Sequence, residues 1–150
     1  MKLARLIAGG FGLGYAPVAP GTVGSAFAAL TGAGLMGGPP GLLAGAAAAA
    51  SVGGALAIRA ARIEGDPGWV VIDEIAGQWI TLLGLDRPTP KGLLAAFALF
   101  RLLDIVKPGP VDWADRRGGA AGVMADDLIA GAIAACILWA FRSRWPGALS

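Results

Sequence analysis

Ten acidic residues serve a chain of 150 residues, and two adjacent pairs of them interrupt otherwise apolar runs. Asp73 and Glu74 lie in WVVIDEIAGQWI (69–80), and Asp126 and Asp127 in GGAAGVMADDLIAG (118–131). An unpaired acid within hydrocarbon costs about 2.5–3.5 kcal/mol on insertion scales, so intramembrane carboxylates are functional candidates by default. On a helix Asp73 and Glu74 diverge by about 100°, which suits lining a wide pocket better than chelating as one unit. Gln78 follows one turn beyond Glu74 on the same face. A further acid, Asp104, sits in FALFRLLDIVKP between Arg101 and Lys107, three residues from each, on one side of a helix that Pro108 stops. APVAPGTVGS (16–25) brings Gly21, Thr22 and Ser25 to the start of a helix, where free amides bind anions. It lacks the lysine and spacing of a P-loop.

Each motif also has a plainer reading. Asp73 and Glu74 can pair with arginines at a helix end, and Arg101, Asp104 and Lys107 can form a salt-bridge ladder. Asp126 and Asp127 can serve the free amides and dipole of a helix N-terminus, and Thr22 or Ser25 can be an N-cap.

Composition narrows the choice. The chain is 56% hydrophobic and 15% charged, with a mean hydropathy of +0.68. Soluble domains average about 45–50% apolar and about 25% charged residues, so the balance points to a membrane protein. There is no histidine, and the single cysteine, Cys136, lies in IAACILWAF. Serine and cysteine triads, a phosphohistidine intermediate and the usual zinc sites are therefore excluded. Carboxylates, Lys, Arg, hydroxyls, backbone amides and a hard metal ion remain. The net charge is only +2, and the basic residues sit in small groups at the edges of apolar runs, so no nucleic acid is expected. A signal peptide is not expected either, because Gly9, Gly10, Gly12 and Gly14 break the first apolar stretch.

The elements that must position these residues follow from the apolar runs. The pattern predicts one all-α domain over 1–150, a polytopic membrane bundle of about four to five short apolar helices. The segments are Val23–Met36, Gly41–Ile58, Trp69–Leu85, Gly92–Val106 and Leu128–Phe141. In the second, Gly41, Gly45, Ala49, Gly53 and Ala57 form a small-residue stripe for close helix contact. Three polar or Gly/Pro-rich stretches, 12–25, 62–74 and 101–127, are each separated by two apolar segments. An even number of crossings places all three on one membrane face. Lys2, Arg5, Arg59, Arg62, Lys107, Arg116 and Arg117 fall there too, so that face is expected to be cytoplasmic.

On this reading Asp73, Glu74, Asp104, Asp126 and Asp127 gather with Arg101, Lys107 and the Gly21, Thr22, Ser25 turn. Carboxylates able to hold Mg²⁺, with cations and amides around them, suit a phosphorylated lipid headgroup. The rivals are a small channel or transporter subunit with an acid-lined path and a CDP-alcohol-type headgroup transferase. The first needs polar groups through the membrane depth, and the second needs an acidic motif that is missing here.

At APVAPGTVGS, DPGWVVIDEIAGQW, FRLLDIVKPGPVDWADRR and GGAAGVMADDLIAG the chain resembles the bacterial phosphatidylglycerophosphatase A family. The blocks occur in family order and cover around half the chain. The resemblance implies a Mg²⁺-dependent inner-membrane enzyme that removes the terminal phosphate of phosphatidylglycerol phosphate. It also implies roles. Asp73, Glu74, Asp104, Asp126 and Asp127 would divide metal binding, and Arg101 and Lys107 would balance charge on the phosphoryl oxygens. Gly21, Thr22 and Ser25 would hold phosphate or headgroup. The attacking group would be water or one of the aspartates.

Overall fold

A computed structural model describes residues 2–150. It is helical, with no strand among the described residues. Seven α-helices run in the order α1 (Lys2–Ala8), α2 (Pro20–Met36), α3 (Leu42–Ala60), α4 (Ile72–Leu82), α5 (Pro90–Val106), α6 (Pro110–Asp115) and α7 (Gly119–Arg144). A short 3₁₀ segment, Gly10–Tyr15, joins α1 to α2. Proline opens α2, α5 and α6, where its missing N–H and fixed φ cost nothing. Thr89 caps α5 by accepting a hydrogen bond from the Gly92 amide at 3.1 Å. Lys107 ends α5 in a left-handed conformation, ahead of Pro108.

Two helices, α3 and α7, are long and apolar enough to cross a bilayer. The helix that carries Asp73 and Glu74 is shorter than the apolar run predicts. Trp69 to Val71 remain outside α4, because the Val71 amide donates to the Ala8 carbonyl (3.0 Å) instead of joining a helical ladder. At 11 residues α4 is about 16 Å long, half the thickness of a bilayer core. Conversely, α7 begins at Gly119 rather than Leu128, so its acids lie well inside the helix.

The centre of the bundle is α4, packed against α2, α3, α5 and α7. Eight of its 11 residues are buried, including polar Asp73, Gln78 and Thr81. Around it, Leu30, Val52, Leu56, Leu94, Ile105 and Trp139 expose large apolar side chains on the outward faces of α2, α3, α5 and α7.

The small-residue stripe on α3 does not pack as expected. Of its members only Ala57 is buried, and a Cβ built at Gly45 or Gly53 meets nothing within 4 Å. The helix turns its Leu43, Ala47, Gly54, Ala57 and Ile58 side inward instead, and Gly54 packs on Ile72 and Met124. Ala49 and Gly53 border an apolar cavity of about 630 Å³, shared with Phe27, Ile72, Ile75 and Trp79.

Candidate active site

Two glycines explain why acids far apart in sequence meet. Gly77 follows Asp73 by one turn on α4, and Gly131 follows Asp127 by one turn on α7. A Cβ at Gly131 would lie 2.4 Å from the Gly77 carbonyl oxygen, and one at Gly77 would lie 2.6 Å from that of Asp127. Lower down, a Cβ at Gly84 would lie 2.4 Å from the Ala135 carbonyl oxygen. The two helices therefore touch backbone to backbone. At the top of this contact, carboxylate oxygens from Asp73, Glu74 and Asp127 come within 4.8 Å of one another.

The expected divergence of Asp73 and Glu74 is overcome locally. The Glu74 amide donates to Asp73 Oδ1 (3.1 Å), which keeps the Asp73 carboxylate over its neighbour. The two acids act as part of one unit with Asp127, not as separate walls of a wide pocket.

The second acidic pair divides between two sites. Asp126 and Asp127 are not helix-capping residues, since α7 starts seven residues before Asp126. Asp127 joins the triad, while Asp126 Oδ2 accepts from Lys107 Nζ at 2.7 Å. Lys107 also donates to Asp115 Oδ1 at 2.5 Å. Burial alone would lower the Lys107 pKa, but hydrogen bonds to Asp115 and Asp126 outweigh it and hold the ammonium above its ordinary value. The row of Arg101, Asp104 and Lys107 is thus split: Arg101 Nη1 pairs with Asp104 Oδ2 at 2.5 Å, and Lys107 turns towards α6 and α7.

Near the triad, the start of α2 closes over Glu74. A Cβ at Gly21 would fall 2.2 Å from Glu74 Oε1 and 3.5 Å from Arg101 Nη1, so only glycine lets α2 approach these side chains. Ser25 is buried one turn on, where its hydroxyl donates to the Gly21 carbonyl (2.8 Å) and lies 3.5 Å from Arg101 Nη1. Neither Thr22 nor Ser25 is an N-cap. The helix already starts at Pro20 behind a left-handed Ala19.

The structure thus brings Asp73, Glu74 and Asp127 into one cluster, with Gly21, Ser25, Arg101 and Asp104 beside it. Asp126 and Lys107 form an adjoining cluster with Asp115. Sequence reading missed Asp115, and it missed the two packing glycines although each stands four residues after its acid. It also missed Asp66, on the loop before α4. Burial raises the Asp66 pKa, the Lys107 charge opposes that shift, and Asp115 and Asp104 reinforce it.

Three carboxylates, with no histidine or cysteine, form a hard-oxygen donor set suited to Mg²⁺, Mn²⁺ or Ca²⁺. Two charges 4.8 Å apart repel by about 3.5 kcal/mol at an effective dielectric of about 20. Three such pairs rival the whole stability of a domain, about 5–15 kcal/mol. Glu74 Oε2 and Asp127 Oδ1 are buried without a hydrogen-bond partner, free to coordinate. The residues fit a divalent cation.

Membership of a family follows from comparison as well as from the motifs. The profile of the phosphatidylglycerophosphatase A family matches residues 6–142, and the chain belongs to that family. It is 40% identical over 147 residues to the phosphatidylglycerophosphatase A of Escherichia coli, covering 95% of this chain and 85% of that protein. A Bacteroides thetaiotaomicron relative, provisionally named a phosphatidylinositol-3-phosphatase, is 42% identical over 139 residues, 86% of this chain and 87% of its own. The Haemophilus influenzae phosphatidylglycerophosphatase A is 37% identical over 78 residues, 51% of this chain and 48% of its own. No solved structure matches.

Proposed function

We propose that this protein is a Mg²⁺-dependent phosphatase that hydrolyses the terminal phosphate of phosphatidylglycerol phosphate to give phosphatidylglycerol. The observation that carries this reading is the meeting of all four motif blocks at one end of the bundle. Gly21 lies against Glu74 and Arg101, and Asp73 and Glu74 lie against Asp127. An acid path through a channel would instead need such groups along the helices.

Asp73, Glu74 and Asp127 would hold the metal, with Asp104 in reserve beside Arg101. When bound, Mg²⁺ supplies positive charge to the phosphate and its leaving oxygen. Arg101 sits at the rim of the triad and is the cation placed to meet phosphoryl oxygens. The Gly21 and Ser25 turn of α2 shapes the headgroup pocket. Water attacks phosphorus, the bond to the glycerol oxygen breaks, that oxygen takes up the proton that water gives up, and inorganic phosphate leaves. The aspartates stay as ligands.

The site would face the cytoplasm of a multi-pass protein in the bacterial inner membrane. The apolar side chains on the outward faces of α2, α3, α5 and α7 support contact with lipid, as do the two helices of bilayer length. Because α4 is enclosed by its neighbours, its short length is no obstacle to a membrane position.

The test is phosphate release by purified protein in detergent, with Mg²⁺ and with EDTA. Phosphatidylglycerol phosphate is run beside phosphatidic acid, lysophosphatidic acid and phosphatidylinositol 3-phosphate. Mg²⁺-dependent release from phosphatidylglycerol phosphate is expected. Preference for the inositol lipid would move the chain towards the activity that its Bacteroides relative is named for. No release from any of the four would sink the phosphatase reading.

A further inference from the structure

Gln78 is a buried polar residue of α4 that the proposed reaction leaves without a task. Its side chain is fully buried, and neither Nε2 nor Oε1 has a hydrogen-bond partner. Leaving a buried polar group unpaired is costly, and an amide has two to satisfy. The same helix shows how this is ordinarily avoided: the Thr81 hydroxyl, equally buried, donates to the Gly77 carbonyl at 2.9 Å.

Two more orphaned atoms lie on the same side of the helix. Glu74 is one turn before Gln78, with Cβ atoms of such pairs about 5–6 Å apart, and Glu74 Oε2 is buried and unpaired. Arg101 reaches the same place, its Nη1 and Glu74 Oε1 both crowding the Cβ position of Gly21, and its Nε is also buried and unpaired. One acceptor, one donor and one amide able to do both thus gather where α2, α4 and α5 meet. The complementarity is chemical: Nε2–H can donate towards Glu74 Oε2, and Oε1 can accept from Arg101 Nε–H. A single water can bridge either gap.

We infer that Gln78 is a positioning residue that ties Glu74 to Arg101 beneath the triad and fixes the Glu74 carboxylate for a divalent cation. This deepens the proposed function and rests on Glu74 being a ligand. Partners that orient a ligand in this way change metal affinity by about 10–100-fold when removed.

The test needs no turnover. Full-length protein in detergent is titrated with Mn²⁺ alone, followed by electron paramagnetic resonance, and its melting temperature is recorded. Gln78→Met keeps the volume of the side chain and removes its hydrogen bonds. A rise of at least tenfold in the Mn²⁺ Kd is expected, together with a lower melting temperature. Removing the amide leaves Glu74 Oε2 and Arg101 Nε buried without the partner that ties them, which is destabilising. Unchanged Mn²⁺ affinity overturns the inference, whatever the melting temperature does. If Gln78→Met does not fold, Gln78→Asn keeps the amide but shortens its reach, and the same loss of affinity is expected. Wild-type protein that binds no Mn²⁺ removes the ligand reading itself, and that outcome is distinct from a mutant effect.

Discussion

The most exposed step in this reasoning is the glycine contact that brings α7 to the acids of α4, and Gly131→Ala tests it. The added Cβ would lie 2.4 Å from the Gly77 carbonyl oxygen, 3.0 Å from its carbon and 3.1 Å from its Cα. All three are backbone atoms, so no side chain can swing aside. Nonbonded heavy atoms settle at about 3.5 Å, so the helices must part locally by ~1 Å. Overpacking of this kind costs about 1–3 kcal/mol of stability. The strain falls one turn from Asp127, whose carboxylate then moves away from Asp73 and Glu74. Misplacing a reacting group by about 1 Å can cost 10²-fold in rate. Gly131→Ala is therefore expected to lower kcat by roughly 100-fold and Mn²⁺ affinity with it, while the protein still inserts and purifies. Gly45→Ala and Gly53→Ala are the controls, since a Cβ there meets nothing within 4 Å. They should leave turnover intact and stabilise α3 by up to ~1 kcal/mol each. Phosphate release and thermal melts on the three variants decide the matter. Turnover within threefold of wild type in Gly131→Ala would show that the glycine contact does not set the acid geometry.

Asp73→Asn and Asp127→Asn should each abolish phosphate release without preventing insertion, and near-normal turnover in both would discard the site. Gly21→Ala presses on the end of the Glu74 side chain rather than on backbone, so it should cut kcat while shifting the melting temperature little. A large loss of stability with full activity would contradict that placement. Lys107→Met leaves buried Asp126 without its cation and should destabilise the protein in thermal or denaturant unfolding. The loss should be smaller than the about 3–5 kcal/mol of a fully buried pair, since the Lys107 side chain is 27% exposed. In Lys107→Met/Asp126→Leu stability should return but activity should not, because the tether from Lys107 to Asp126 is gone; full activity would show that Asp127 needs no such tether.

The all-α fold was legible because apolar runs bounded by Pro and Gly leave little choice, although the short α1 and α6 were not, and Asp73, Glu74 and Asp127 stood out because a carboxylate in such a run needs a reason. Counting crossings gathered these acids on one face but did not bring them into contact. Periodicity gives the direction of a side chain from its own helix, and Asp73 and Glu74 do diverge by that measure. The triad closes through a rotamer, through the Glu74 amide bonded to Asp73 Oδ1, and through the crossing with α7. None of these is local to the pattern. The stripe on α3 failed for a related reason: small residues every fourth position mark a face able to pack closely, but not which helix takes it. The start of α7 was misplaced because GGAAGVMADD reads as a loop by composition, although Ala, Val and Met there carry the helix into the core. Lys107 was placed in a row with Arg101 and Asp104 by spacing alone. Its left-handed backbone breaks that spacing and points it elsewhere.

The adjoining clusters then have one logic. Asp127 must be fixed in two coordinates relative to α4, the distance between the helices and the rotation of α7 about its axis. Gly77 and Gly131 fix the distance by allowing backbone contact. Rotation is set by the buried side chains of α7, Val123, Met124, Ala134 and Leu138 among them, and by a polar tether. Asp126 supplies it. Its side chain leaves α7 about 100° from that of Asp127 and is held by Lys107, which Asp115 of α6 holds in turn. With Asp126 anchored on that side, Asp127 has one direction left, towards Asp73 and Glu74. The adjacent acids of α7 are therefore placed for different work: the first is held by Lys107, and the second, on the proposed reading, would present an oxygen to a cation.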